Sequence, residues 1–373
     1  MKKPLACILA ALCLLALLAP AAIAADRPWP TADFPKGPPM PWYYVPVLEG
    51  YCMLQGITNG NVFNDSVLVL RGGELIYERY ASGWDMEKPH QMYSVTKSVL
   101  SALVGVAIQD GKIESVDQKA AGFFGDLAIP AGQESKYDIT IGHLLRQTSG
   151  LPGDSDFESN AVEWWNAGDS GRAAFLFPQM AAPGERFSYS SGPGMQALAA
   201  LLTDAVGRNL FEYASEKLFI PLGMDSVKWD AAADGVNYGG FGISMTPRDM
   251  LRLGYLYLND GVWDGRQIIP AGYVAATPPP AGENYGYLFW GFSKKEGFER
   301  AYGASGSFGQ FIWILPDQDT VIVRTGSAGP VTRAVARGMA ATGLVRAIFM
   351  RVVYPLAPLK GVPLDYFMGT LGT

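Results

Sequence analysis

Residues 94–110 contain no proline, are almost wholly apolar or small, and carry a single charge, Lys97, before Asp110 closes the run. Val95, Val99, Leu100, Ala102, Leu103, Val106, Ala107 and Ile108 leave no polar face. A helix of this composition must be covered on most sides, and Gly111 is placed to end it. Strand patterns lie on either side of it in the chain. Residues 66–70 and 74–78 flank Gly72-Gly73 and read as a β-hairpin with a glycine turn. Late in the chain, residues 285–292 read as a strand. Residues 310–315 and 320–324 flank the turn Pro316-Asp317-Gln318-Asp319, and residues 331–353 read as a closing helix. Between residues 117 and 238 helical stretches (194–206, 210–218) alternate with Gly/Pro loops, and no strand pattern stands out. The simplest architecture is an α/β sandwich whose sheet is completed from both ends of the chain, with a helical insertion. The expected division is an α/β domain of residues 47–116 and 239–373 and a helical subdomain of 117–238.

The beginning of the chain has its own texture. Lys2 and Lys3 precede an apolar run over residues 5–18, Pro20 ends it, and Ala22-Ile23-Ala24 follows as a small-x-small site. This is the pattern of a secretory signal peptide over residues 1–24, cut near Ala24. The run is short for a membrane span. Leu12 before Cys13 argues against a lipid-attachment site. Removal of this segment takes Cys7 and Cys13 with it and leaves only Cys52, so no internal disulfide is expected. A periplasmic or secreted location follows, with no transmembrane segment in the mature chain. Residues 25–46 hold seven prolines with Trp29, Trp42, Tyr43 and Tyr44, an extended arm held to the body by its aromatics. The 49% hydrophobic content excludes wholesale disorder, and a formal net charge of -6 excludes a basic nucleic-acid footprint. Two His and three Cys make a His/Cys metal site untenable.

Met92-Tyr93-Ser94-Val95-Thr96-Lys97 opens the buried helix. Residues three apart share a helical face, so Ser94 and Lys97 point into one space near the positive helix end. A serine hydroxyl needs a base to become a nucleophile, and a lysine in an apolar site has its pKa lowered enough to serve. Two later segments extend the pattern. Phe187-Ser188-Tyr189-Ser190-Ser191 offers a tyrosine among small polar residues before a helix. Gly303-Ala304-Ser305-Gly306-Ser307-Phe308-Gly309 precedes the 310–315 strand with glycines that admit close backbone approach.

In this order the three segments resemble the serine β-lactamase-like hydrolases. That family takes in class C β-lactamases, D-alanyl-D-alanine peptidases, related carboxylesterases and nylon-oligomer hydrolases. Its S-x-x-K corresponds to Ser94-Val95-Thr96-Lys97, its Y-x-N or Y-x-S to Tyr189-Ser190-Ser191, and its K-T-G or H-T-G to Ala304-Ser305-Gly306. Residues 139–151, Pro221-Leu222-Gly223-Met224 and the stretch from Gly239-Gly240 to Arg248-Asp249 match as well. The resemblance implies a β-lactamase/transpeptidase-like fold, an antiparallel sheet flanked by helices plus a helical subdomain. It implies an acyl-enzyme on Ser94, with Lys97 and Tyr189 sharing the proton transfers. The backbone N–H groups of Ser94 and Ser307 would form the oxyanion hole. Ser191, Ala304, Ser305 and Gly306 would line the substrate site, and no metal or organic cofactor is implied. Ala304 stands where β-lactam enzymes usually carry Lys or His, and Ser191 replaces an asparagine that contacts the substrate amide. Both departures favour a small uncharged ester or amide. The competing readings are a penicillin-binding D-alanyl-D-alanine carboxypeptidase or β-lactamase, and a non-catalytic ligand-binding relative.

Other residues have plainer readings. His143 lies in apolar text and reads as structural. Glu163-Trp164-Trp165 reads as a loop with aromatic packing, and Asp154 and Asp156 as loop and turn residues.

Overall fold

The computed structural model describes residues 28–42, 44–58, 63–156, 167–291 and 300–327. The expected signal segment, Glu163-Trp164-Trp165 and the closing helix at 331–353 lie outside the described residues. Strands β1 (Ser66–Arg71) and β2 (Glu74–Tyr80) form the expected hairpin, with Gly72 and Gly73 both at positive φ. They join β3 (Trp290–Gly291), β4 (Tyr302–Gly306), β5 (Gln310–Leu315) and β6 (Thr320–Thr325) in one sheet of order β2-β1-β6-β5-β4-β3. Every pairing is antiparallel. The central ladder sets Ser66 opposite Thr325 and Arg71 opposite Thr320, so an early and a late segment of the chain meet there.

Both sheet faces are covered. On one, Leu48 and Cys52 of helix α1 (Val45–Thr58) pack with Val67, Phe311 and Trp313. On the other, Leu68, Leu70, Ile312, Ile314, Val321 and Val323 enter the main core. Two-sided burial is why β1 and β5 read as unbroken apolar runs rather than alternating ones. Helix α2 (Val95–Gln109) is buried from Val95 to Ala107 and packs on helix α3 (Pro193–Val206) and β4. Its polar side chains find partners, as burial demands. Thr96 Oγ1 accepts from Ile243 N at 3.2 Å, Ser98 Oγ donates to Leu288 O at 2.7 Å, and Ser101 Oγ meets Tyr273 OH at 3.0 Å.

Five features differ from expectation. Helix α4 (Pro247–Leu258) covers β1, β5 and β6. Its signal was a capping box: the Thr246 side chain accepts from Asp249 N, and Asp249 returns a bond to Thr246 N, with Pro247 in the first turn. Helix α1 likewise starts at the end of the proline arm, with Pro46 in its first turn. Of the arm's aromatics, Trp29 packs 5.6 Å from both Tyr255 and Trp263, whereas Trp42 is exposed. The 285–292 segment is not one strand. Leu288 has φ 58 and Gly286 N donates to Phe289 O, so the chain reverses and, of its described residues, Trp290–Gly291 are the ones that join the sheet. The helical middle does contain a strand: Lys228–Trp229 pairs with Ile243–Met245, which pairs with His90–Gln91. That small sheet anchors the approach to α2, since Met92 N donates to Ile243 O at 2.8 Å.

Candidate active site

Ser94 is the N-cap residue of α2 and its side chain makes no capping bond, so the hydroxyl is left for other work. One turn on, Lys97 is fully buried. Its Nζ lies 2.9 Å from Ser94 Oγ, 3.0 Å from Ser191 Oγ and 3.0 Å from the Gly240 carbonyl. Burial disfavours the ammonium and pulls the Lys97 pKa down from 10.5 to about 7, with the Asp154 charge pulling weakly the other way. A substantial fraction of Lys97 is therefore neutral at physiological pH and able to accept a proton from Ser94.

Tyr189 and Ser191 arrive on the segment leading into α3. The ring of Tyr189 lies 4.7 Å from Lys97 Nζ, and the Ser94 hydroxyl is close enough to favour its ionised form. Burial pushes this phenol above its usual range and outweighs the opposing influence of Ser94. It is a neutral hydroxyl at pH 7, not a phenolate, so the two partners are unequal: Lys97 is the base and Tyr189 a hydroxyl that passes protons on. Gln147 braces this turn. Its side-chain oxygen accepts from Ser190 N, its main-chain oxygen from Ser188 N at 2.9 Å, and its amide reaches Tyr285 OH at 3.4 Å. The 239–242 loop closes over the segment so tightly that a Cβ on Gly240 would stand 2.1 Å from the Ser191 carbonyl oxygen. Only glycine permits this approach, which brings the Gly240 carbonyl to Lys97.

The third segment ends beside the nucleophile. A Cβ on Gly306 would lie 2.4 Å from Met92 O and 3.4 Å from Ser94 N, so the end of β4 sits directly against the helix N-terminus. Ser307 is exposed at the turn that follows. Tyr93, just before Ser94, and Phe308, just after Ser307, both hold positive φ (48° and 62°), and their rings pack edge-on at 5.1 Å. Non-glycine residues adopt this backbone at some cost and persist there where the surroundings hold them.

The structure thus brings together Ser94, Lys97, Tyr189, Ser191 and Gly306, with Ser307 adjacent in the chain. Ala304 behaves differently. It is 1% exposed, pairs with Ile312 and belongs to the main core, so its position presents a buried methyl group. Ser305 is half-buried opposite Phe311. Ser191, a substrate contact by resemblance, has its hydroxyl engaged by Lys97 and by Asp154 Oδ2 at 2.8 Å. Asp154, a loop residue by sequence, is thereby tied to the site. Asp156 does hold its loop, accepting from Gly153 N, Ser188 Oγ and Arg186. His143 forms a capping box with Thr140 at helix Ile141–Leu145 and is structural. A wall of rings flanks the site, of which the sequence singled out only Tyr189 for a role: Tyr189 stacks on Trp290 at 5.4 Å, and Tyr285 meets Trp290 at 4.7 Å and Phe187 at 5.4 Å. Among the described residues no His/Cys/Asp/Glu group able to hold a metal occurs, and no helix is long and apolar enough to cross a membrane.

Comparison with known proteins gives a consistent result. The Beta-lactamase family model matches residues 54–341. A 6-aminohexanoate-dimer hydrolase of Paenarthrobacter ureafaciens is 26% identical over 292 residues, covering 70% of this chain and 72% of that protein. Among solved structures, a penicillin-binding protein homologue from Caulobacter crescentus superposes with TM-score 0.59 at 15% identity, over 82% of this chain and 99% of that one. EstCE1, a hydrolase with promiscuous acyltransferase activity, gives TM-score 0.58 at 16% identity, over 78% and 99%. The antiparallel sheet, the buried helix opened by Ser94 and Lys97, and the family match over most of the chain lead to one conclusion: this chain belongs to the beta-lactamase family of serine hydrolases.

Proposed function

We propose that the protein is a secreted hydrolase that cleaves a small uncharged ester or amide through an acyl-enzyme on Ser94. The observation that carries this reading is the 2.9 Å contact between Ser94 Oγ and the buried Lys97, whose pKa is drawn down to about 7. Neutral Lys97 takes the Ser94 proton as Oγ bonds to the substrate carbonyl carbon. The carbonyl oxygen becomes an oxyanion, facing the N–H groups of Ser94 and Ser307 at the helix N-terminus. Collapse of the adduct breaks the C–O or C–N bond. The proton on Lys97 reaches the leaving group, with the Tyr189 hydroxyl as the go-between. Water then attacks the acyl carbon as its proton passes to Lys97, and the Oγ–C bond breaks as Lys97 hands that proton to Ser94 Oγ, which restores both groups. Intact-mass analysis after treatment with a fluorophosphonate tests this. One adduct on the wild type and none on Ser94→Ala is the expected result, and an adduct on both would reject it.

The buried Ala304 methyl supports an uncharged substrate, since no cation stands at that position to hold a carboxylate. The name of the Paenarthrobacter relative, a hydrolase of an amide dimer, supports amide as well as ester cleavage. Nitrophenyl butyrate should therefore surpass cephalosporins in kcat/KM by at least about tenfold, the scale of one lost charge-assisted contact. Efficient cephalosporin turnover by the wild type would contradict this.

Export rests on residues 1–24. Mature protein recovered from the periplasmic or secreted fraction should begin near Ala25. N-terminal sequencing that finds Met1 on membrane-bound material would refute it.

A further inference from the structure

Asp154 lies at the surface, yet its groups bracket the segment that carries Tyr189 and Ser191. Its N–H donates to Tyr189 O at 2.7 Å. Its carboxylate accepts from Ser191 N at 2.6 Å and from Ser191 Oγ at 2.8 Å. Beyond Ser191 Oγ, 3.0 Å away, is Lys97 Nζ. We propose that Asp154 is a positioning residue that fixes the direction of this hydrogen-bond chain and so aims the Lys97 lone pair at Ser94. The inference rests on the reading of Lys97 as the base.

The donor inventory carries it. A carboxylate can only accept, so the single Ser191 hydroxyl hydrogen is committed to Asp154. Ser191 Oγ can then only accept from Lys97, and the Gly240 carbonyl can only accept as well. As an ammonium, Lys97 has three hydrogens for three neighbours: Ser94, Ser191 and Gly240. As a neutral amine it has two, and both go to the two neighbours that cannot donate. The lone pair is left facing Ser94, the neighbour whose hydrogen is free to move. Without the carboxylate, the Ser191 hydroxyl can turn and donate to Lys97, occupying the lone pair that Ser94 needs.

The charges around Lys97 are few. Helix α2 carries no other charged side chain from Val95 to Gln109, and neither β4 nor the 239–242 loop carries one. Tyr189 faces the amine and Tyr285 lies behind it. Burial holds both above the usual phenol range, so neither is charged near neutrality. Asp154 is the anion that favours the ammonium.

Asp154→Asn tests the proposal, because an amide of the same shape can donate to Ser191 Oγ and reverse the chain. With nitrophenyl butyrate, kcat should fall about 100-fold, a part of the usual worth of a general base, with KM within about twofold. The acid limb of the kcat/KM profile should move to lower pH, since the anion that favours the ammonium is gone. Adding Ser191→Ala to Asp154→Asn removes the misdirected hydroxyl, so the double variant should be faster than Asp154→Asn alone. An unmoved acid limb, or a double variant no faster than the single one, would overturn the proposal. Should Asp154→Asn fail to fold, Ser191→Ala alone decides: it removes one obligatory acceptor and should lower kcat about tenfold, whereas wild-type kcat would reject the inference. Fluorophosphonate labelling runs in parallel. Label on Ser94 with an unmoved limb rejects the role of Asp154, while absence of label on wild-type Ser94 rejects the parent reading.

Discussion

Ser94→Ala should give a folded protein with no detectable acyl-enzyme and with kcat reduced by on the order of 10⁶, the scale seen when a serine nucleophile is removed. The fold should tolerate the change because the Ser94 side chain makes no capping bond and the residues that follow it are packed independently of its hydroxyl. Lys97 keeps Ser191 and Gly240 as partners. Melting temperature and kcat measured on one preparation separate a lost nucleophile from a lost fold. A variant that turns over nitrophenyl butyrate within tenfold of wild type would remove Ser94 from the mechanism.

Lys97→Met should lower kcat by about 10² to 10⁴, the usual worth of a general base, while making the protein more stable. The second half follows from burial. In the unfolded chain Lys97 keeps its proton up to about 10.5, whereas the folded protein releases it near 7. Between those values the unfolded state binds more protons, so stability rises with pH across that window. Below pH 7 the full cost of enclosing the ammonium is present, and above about 10.5 it is gone. Methionine fills much the same space with no charge to desolvate. The stability difference between variant and wild type should be largest below pH 7, in favour of the variant, and should shrink as pH rises toward 10.5. Urea unfolding of both proteins at pH 6 and pH 9.5 measures it. An equal difference at the two pH values would mean that the ammonium is not desolvated as described.

What the sequence made legible was local. Ser94 and Lys97 are three residues apart on one helix, and periodicity alone predicts that they face each other. The hairpin at Gly72-Gly73 and the β5–β6 turn are equally local. Tyr189, Ser191 and Gly306 were reached through resemblance, because nothing in their own spacing points to Ser94. Asp154 had neither aid. It meets Ser191 across 37 residues, from a loop with no periodicity. The charge state of Tyr189 was out of reach for another reason: a neighbouring ammonium lowers a phenol pKa and burial raises it, and the depth of burial is a property of the assembled core. Residues 285–292 show the opposite error. Their aromatic content satisfies a strand pattern, but Leu288 turns the chain and sends its N–H to Leu145 O instead of along a ladder.

The pairing of β1 with β6 governs the order in which such a molecule can assemble. Residues 66–71 have only β2 beside them until residues 320–325 arrive, a closure spanning most of the chain. Contacts this distant in sequence slow folding, because the intervening loop must be closed before they contribute. A nascent or truncated chain lacking residues 320–325 would expose one whole edge of Ser66–Arg71, five of whose six residues are buried in the finished sheet. Such an edge is a template for pairing with other chains. Premature termination before residue 320 should therefore cause aggregation rather than partial activity, even though Ser94, Lys97 and Tyr189 all lie upstream of it.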